Sequence, residues 1–247
     1  MYSFTDTNAP PFSRGPLVTT WRGVTLDSLL EGRFRTLDVT GRELLAPDLQ
    51  TTPVVGGPGE WVTVSELPAR PLVVTAWVHR SATSQLMSYL GTGEGELRWS
   101  DEPYTWNAVM RDIEQPPEEI YYNSGSIVRL YFLATDPYKY GLKVTSDLIP
   151  RHYPLPVRPD KIVLRVKRQT VTPRIYTEKR TMAITGTYSE GEVITIDYQA
   201  LTLKRGLESI MNRLDIRSDF LDYYIDPGDR IRSQAGDVTM TFRERRL

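Results

Sequence analysis

The side chains able to support chemistry are few in this 247-residue chain. It has two histidines, His79 and His152, and no cysteine. Lack of cysteine removes disulfides, thiol nucleophiles and thiolate metal sites together. A metal site built on the histidines needs both, with carboxylates, brought together from two distant regions. His79 ends a predicted strand and His152 sits among prolines, which argues against that union. Asp219, Asp222, Asp226 and Asp229 form an oxygen-rich cluster of the kind hard cations take. They lack EF-hand spacing, and Asp226-Pro-Gly-Asp229 is ordinary turn chemistry. Glu118 and Glu119 offer the two carboxylates of a glycosidase, but they follow Pro116-Pro117 and read as an exposed loop. Gly91, Gly93 and Gly95 resemble a phosphate-binding loop. They follow a predicted helix, however, whereas a phosphate cradle follows a strand and opens a helix. No HExxH, GxSxG or GxxxxGK[ST] motif occurs. The reading is that the chain has no catalytic, cofactor or metal site and is not an enzyme.

Aromatic and charged residues are the remaining candidates for contacts. Trp61, Trp77, Trp99 and Trp106 lie in the N-terminal part. Exposed tryptophans on a β-sheet can stack on sugar rings, while buried ones fill cores and subunit interfaces. The core and interface role is the expected one, and carbohydrate binding is the alternative. Net charge is −1, but its distribution is uneven. Residues 1–142 carry 17 acidic and 11 basic side chains, and residues 143–247 carry 14 and 19. The basic half has no tight cluster before its last residues, so a solvated surface is a simpler reading than nucleic-acid binding. Head-to-tail stacking of oppositely charged faces is a third reading, suited to an assembly protein. Arginine outnumbers lysine 24 to 6, which suits planar, bidentate contacts at interfaces, although genomic base composition gives the same bias.

The elements that must position these residues are mostly strands. Ile162, Leu164 and Val166 alternate with charged neighbours, as do Val128, Leu130 and Phe132, and Val238, Met240 and Phe242. Period-two alternation marks half-buried strands. Leu72–Val78, Thr181–Gly186 and Val193–Tyr198 read the same way and are rich in residues that fit a pleated surface. Ser81–Leu90 departs from this pattern. Leu86, Met87 and Leu90 have helical spacing, Ser81 or Thr83 can cap the start, and Gly91 suits the end. A second helical turn is possible at Glu208–Leu214. Pro150, Pro154, Pro156 and Pro159 crowd one stretch, and prolines so close together do not belong inside a sheet. That stretch reads as a linker over residues 142–159, between domains at 1–141 and 160–247. No apolar run approaches the roughly 18 residues of a membrane helix. Met1–Pro11 lacks the features of a signal peptide, so synthesis and folding in the cytoplasm are expected.

Two turn motifs give the chain a family likeness. Ser100-Asp101-Glu102-Pro103 follows a predicted strand. About thirty residues later, Asp136-Pro137-Tyr138-Lys139-Tyr140-Gly141 ends another. Near the C-terminus, Pro227-Gly228-Asp229 precedes a last strand. This order resembles the distal tail protein family of siphophages from about Trp21 to the C-terminus. Ala46–Trp61 departs from it, because the family often has a simpler hairpin there. In physical terms, Asp136-Pro137 stops a strand, Gly141 permits a positive φ, and Ser100 and Asp101 bond nearby backbone while Pro103 fixes the turn.

The resemblance implies a mainly β protein of two domains. The first would be a ring-forming, sandwich- or barrel-like domain with one short helix, and the second a galectin-like β-sandwich. It implies a homo-oligomer, a hexameric ring at the distal end of the virion tail, assembled in the host cytoplasm. Its partners would be the tail-tube protein, the tail-tip hub protein and a receptor-binding protein, with no membrane. DNA would cross the channel without specific binding. On this reading, deletion of Asp160–Leu247 spares the ring.

Overall fold

The computed structural model describes residues 16–91, 93–114 and 125–247. The chain is mainly β and divides into two compact units. The first ends at Lys139 and the second runs from Tyr140 to Arg246.

Unit 1 contains β1 (Thr19–Trp21), β2 (Val24–Thr25), β3 (Phe34–Thr40), β4 (Asp48–Pro53), β5 (Glu60–Glu66), β6 (Arg70–His79), β7 (Glu94–Trp99), β8 (Thr105–Glu114) and β9 (Gly125–Ala134). One antiparallel sheet runs in the order β2-β1-β7-β8-β9-β6-β3. The alternation in the sequence sets its inner face. Leu72, Val74, Ala76 and Val78 of β6 are buried, as are Val128, Leu130 and Phe132 of β9. The sheet curls back on itself. Thr19 of β1 and Thr36 of β3 stand near opposite ends of the order, yet their hydroxyls share a buried hydrogen bond of 2.7 Å. Trp21 meets Phe132 with ring centroids 5.0 Å apart. Curling of this kind lets one layer enclose its own core.

Two helical segments cover the curl. α1 (Leu26–Leu29) is a single turn that the apolar pattern does not announce, and α2 (Thr83–Leu90) is the expected helix. A 3₁₀ turn at Arg80–Ala82 precedes α2. Neither Ser81 nor Thr83 caps α2, whose N-cap is Ala82 without a side-chain bond; the 3₁₀ turn before it is capped by His79, whose Nδ1 accepts the Ser81 N–H at 3.2 Å. Leu86 and Leu90 face the core, whereas Met87, expected beside them, points to solvent. Gly91 ends the helix with φ 47°.

Unit 2 contains β10 (Lys139–Ser146), β11 (Lys161–Val166), β12 (Thr170–Val171), β13 (Arg174–Tyr176), β14 (Thr181–Ala183), β15 (Thr187–Tyr188), β16 (Val193–Asp197), β17 (Thr202–Arg205), β18 (Glu208–Ser209), β19 (Arg232–Ser233) and β20 (Gly236–Arg246). Its larger sheet has the order β18-β17-β16-β11-β20-β10, and a smaller one has the order β14-β13-β19. Ile162, Leu164, Ile196 and Phe242 of the first sheet share one core with Ile175 and Met182 of the second. This is the two-sheet arrangement expected of a β-sandwich. Of the stretch Glu208–Leu214, expected as a helical turn, only Met211–Arg213 is 3₁₀.

The proline-rich stretch is not a free linker. β10 occupies residues up to Ser146, and Ile149, Tyr153 and Val157 are buried in the unit 2 core. Val157 and Ile225 exchange both backbone hydrogen bonds at 2.9 Å, and the Ile149 N–H donates to the Asp229 carbonyl at 3.0 Å. The prolines do keep this backbone out of a sheet interior. The apolar residues between them recur every four positions and strap the segment to the core. A deletion beginning at Asp160 therefore strips these side chains of their packing partners, and it cannot be a clean test of unit 1.

Two buried tyrosines make the unit 2 core sensitive to alkali. Tyr198 and Tyr223 stack with ring centroids 6.2 Å apart, and among the described residues their hydroxyls have no hydrogen-bond partner. Burial pushes both phenols above their ordinary 10.0, and for Tyr198 the neighbouring Tyr223 adds to the shift. The folded state thus keeps protons that the unfolded chain releases above about pH 10. Stability from these groups is complete below that pH and falls as pH rises beyond it. The urea midpoint followed by far-UV circular dichroism is expected to fall between pH 10 and 11.5. Tyr198→Phe combined with Tyr223→Phe should flatten that slope while costing at most about 1 kcal/mol at pH 7, because an unpaired hydroxyl is lost. A double variant with an unchanged slope would refute the assignment.

Candidate functional site

The two signature turns meet inside unit 1. The Ser100–Pro103 turn joins β7 to β8, and Lys139 of the second motif reaches it. Lys139 Nζ donates to Glu102 Oε2 at 3.0 Å, and the two side chains are only 18% and 15% exposed. Trp106 Nε1 donates to Glu102 Oε1 at 3.4 Å, and Arg42 Nη1 lies 3.8 Å from the same oxygen. Arg42 also donates to both oxygens of Asp101 at 2.9 Å. Indole faces pack beneath these cations. Arg42 lies 5.2 Å from the Trp99 ring, Arg70 lies 4.8 Å from Trp106, and Lys139 lies 5.8 Å from Trp106. Ring quadrupoles favour a cation in that position. Arg70 is buried, donates to the Gly41 and Glu43 carbonyls, and burial lowers its pKa. One nearly buried carboxylate, Glu102, therefore stands among three cations.

The other signature residues act on backbone. Ser100 Oγ accepts the Val18 N–H at 3.0 Å, which fixes the entry to β1. Asp136 Oδ1 accepts the Tyr138 N–H at 3.0 Å, an Asx turn before β10. Tyr140 packs against Arg243, whose guanidinium lies 5.6 Å from its ring. Gly141 does not supply the expected positive φ. It lies in the extended backbone of β10, since the turn is completed by residue 138. Gly228 does need its φ of +92°, and the Asp229 N–H closes on the Asp226 carbonyl at 3.1 Å. That is the geometry a glycine at the third position of a type II turn provides.

The residues weighed for other chemistry are dispersed. Among the described residues no group of three or more His, Asp or Glu is placed to hold a metal ion. Asp219 pairs with Arg180 and Asp226 with Lys179. His152 stands edge-on to Tyr153 in unit 2, while His79 caps a turn in unit 1. Gly93 and Gly95 pack against Arg22 between α2 and β7. Glu118 and Glu119 lie outside the described residues. All five tryptophans belong to unit 1, and Trp21, Trp99 and Trp106 are fully buried. Most of the indole surface is therefore core, and Trp61 is the indole that is largely exposed, at 67%.

Trp61 marks a surface that the motifs do not signal. Among the described residues β4 and β5 pair only with each other, and nearly every residue of both is exposed. Leu49, Val55 and Val62 project into solvent alongside Trp61. Pro58 lies between Gly56 and Gly59 in the connection, and both glycines have positive φ, at 77° and 100°. A two-stranded hairpin is at best marginally stable in water without a third strand or a packed face. Apolar side chains clustered on such an element mark a contact surface. Pro58 and the glycines beside it form the turn of this hairpin.

The fold can now be compared with known proteins. Residues 156–245 match the family described as siphovirus-type tail component, C-terminal domain. No curated protein sequence matches the chain significantly. The whole fold is similar to that of the Dit protein of phage SPP1, described as a paradigm of the hub adsorption apparatus in phages infecting Gram-positive bacteria. The TM-score is 0.77 at 19% identity, covering 94% of this chain and 99% of that one. It is also similar to a chain of the phage P2 baseplate in its activated conformation with Ca, with a TM-score of 0.57 at 9% identity, covering 92% and 98%. The corresponding baseplate with Sr gives 0.55 at 10% identity, covering 94% and 99%. Residues 156–245 thus match the C-terminal domain of that tail-component family, and the chain has the Dit fold along its length.

Proposed function

We propose that this protein forms a closed ring, hexameric by analogy with the distal tail family, at the distal end of a long phage tail. Unit 1 builds the ring and unit 2, the galectin-like sandwich, faces outward. The ring joins the tail tube to the tail-tip hub, can anchor a receptor-binding protein, and leaves a channel through which DNA passes unread. Its role is architectural rather than enzymatic, and assembly takes place in the host cytoplasm.

The uncovered β4–β5 hairpin is the observation that carries this reading. A monomer gains little by extending such an element into water, whereas a neighbouring copy can bury both its backbone edges and its apolar faces. The same patch meeting a different patch on the next subunit is a heterologous contact, which closes into a ring when the rotation is right. Negative-stain micrographs of the purified full-length chain should show rings with a central hole, and light scattering should give a mass that is a multiple of the 28.2 kDa protomer. A monomer at high concentration, combined with absence from purified virions, would sink the proposal.

A further inference from the structure

We infer that unit 2 carries a second docking surface, a preformed groove for a polypeptide segment that presents an aliphatic side chain beside lysine or arginine. The groove encloses about 630 Å³ and is lined by Leu201, Met211, Ile216, Leu221 and three aspartates, Asp215, Asp219 and Asp222. No lysine or arginine lines it. Ile216 is 97% exposed and Leu221 is 66% exposed. Phe220, buried and stacked on Tyr198 at 5.2 Å, ties the wall to the core.

A slack loop would turn such side chains inward, but this backbone is pinned. The Asp215 N–H donates to the Ala183 carbonyl at 3.0 Å, and the Ala183 N–H donates back to Ser218 Oγ at 3.0 Å. Ile184 and Leu214 form a bridge, and Asp219 accepts the Thr181 N–H at 3.4 Å. Four attachments to the β14 region hold aliphatic side chains in water, and a surface already ordered loses little entropy when it binds. The lining chemistry selects the occupant. Sugars need an exposed aromatic face, and the one lining ring, Phe220, is buried. Asp219 is already paired with Arg180, and the charges of Asp215 and Asp222 repel an anionic membrane or a nucleic acid. Aliphatic walls with an acidic rim instead complement an aliphatic anchor flanked by cations. The acidic rim is also local, because residues 143–247 are otherwise net basic. This surface is distinct from the hairpin, and its test does not depend on ring formation.

The test selects a random-peptide library on immobilised full-length protein, then measures the enriched peptides by fluorescence anisotropy. The expected consensus places Leu, Ile or Met next to Lys or Arg. Ile216→Asp should weaken those peptides at least about tenfold, the loss of a single anchoring contact. Asp215→Lys with Asp222→Lys should shift the selected flanks from basic to acidic residues. Ile216 and Asp222 are exposed, whereas Asp215 is half-buried and its Oδ1 accepts the Arg217 N–H at 2.9 Å, so the melting temperature of each variant is measured alongside, and Asp222→Lys alone is carried as the variant expected to leave it unchanged. Failure to enrich a consensus, or a consensus indifferent to the charge reversal, would overturn the proposal. So would self-association of the full-length chain that Ile216→Asp abolishes, because the occupant would then be a second copy.

Discussion

Glu102→Gln is expected to destabilise unit 1 by about 3 kcal/mol, because it removes a carboxylate, only 15% exposed, that stands among three cations. The amide keeps the shape and one acceptor but loses the charge. Lys139, Arg42 and Arg70 then repel one another across a site in which the Glu102 and Lys139 side chains are less than a fifth exposed. Asp101→Asn is the contrast. Asp101 also meets Arg42, at 2.9 Å, but it is 37% exposed. Water screens that pair, and the loss should stay below about 1 kcal/mol. Adding Lys139→Met to Glu102→Gln should recover part of the deficit, since it removes the cation that the first change leaves stranded. Urea unfolding followed by tryptophan fluorescence reads this cleanly, because every tryptophan lies in unit 1. If Glu102→Gln costs no more than Asp101→Asn, the charge cluster is not a structural lock.

Trp61→Ser combined with Val62→Ser should disperse the assembled protein at concentrations where the unaltered chain is oligomeric. A buried tryptophan at an interface is commonly worth about 2 kcal/mol or more, roughly thirtyfold in each contact. In a closed ring every interface bears that loss. The folding stability of the protomer should stay within about 0.5 kcal/mol, because the two side chains are exposed in the monomer. Sedimentation velocity across a concentration series measures the first effect and urea unfolding the second. Val171→Ser, at an exposed apolar position of unit 2, serves as the control and should leave assembly unchanged. Retention of the oligomer by the hairpin variant would remove the hairpin from the interface.

Much of the architecture was legible because alternation and burial have the same cause. Val128, Leu130 and Phe132 read as one face, and β9 buries them. The pair of turn motifs carried the resemblance to the distal tail family, and their backbone roles at Ser100 and Asp136 follow from side-chain chemistry. The link between them was not legible. Glu102 and Lys139 are 37 residues apart, and only the curl of the sheet makes them partners. The His79 cap escaped for a local reason, since histidine is not among the side chains favoured at such a position. The proline-rich segment misled because proline excludes a sheet interior without excluding burial. Ile149, Tyr153 and Val157 carried the signal of that burial, but a four-residue spacing suits one face of a helix and one face of a strand alike, and the intervening prolines exclude both. The hairpin was visible as a sequence departure at Ala46–Trp61. Its isolation was not, because that depends on what fails to pack against it.

The strapped prolines also bear on how proteins of this fold can be recombined. A crossover that exchanges C-terminal modules between phages needs a junction where neither parent loses core side chains. Residues 142–159, which look like the obvious splice site, are the wrong place, because Ile149, Tyr153 and Val157 would be grafted onto a foreign sandwich shaped for other side chains. Viable chimaeras should instead carry their joints at the Asp136–Lys139 turn, so that the whole strap travels with the module it helps to fill.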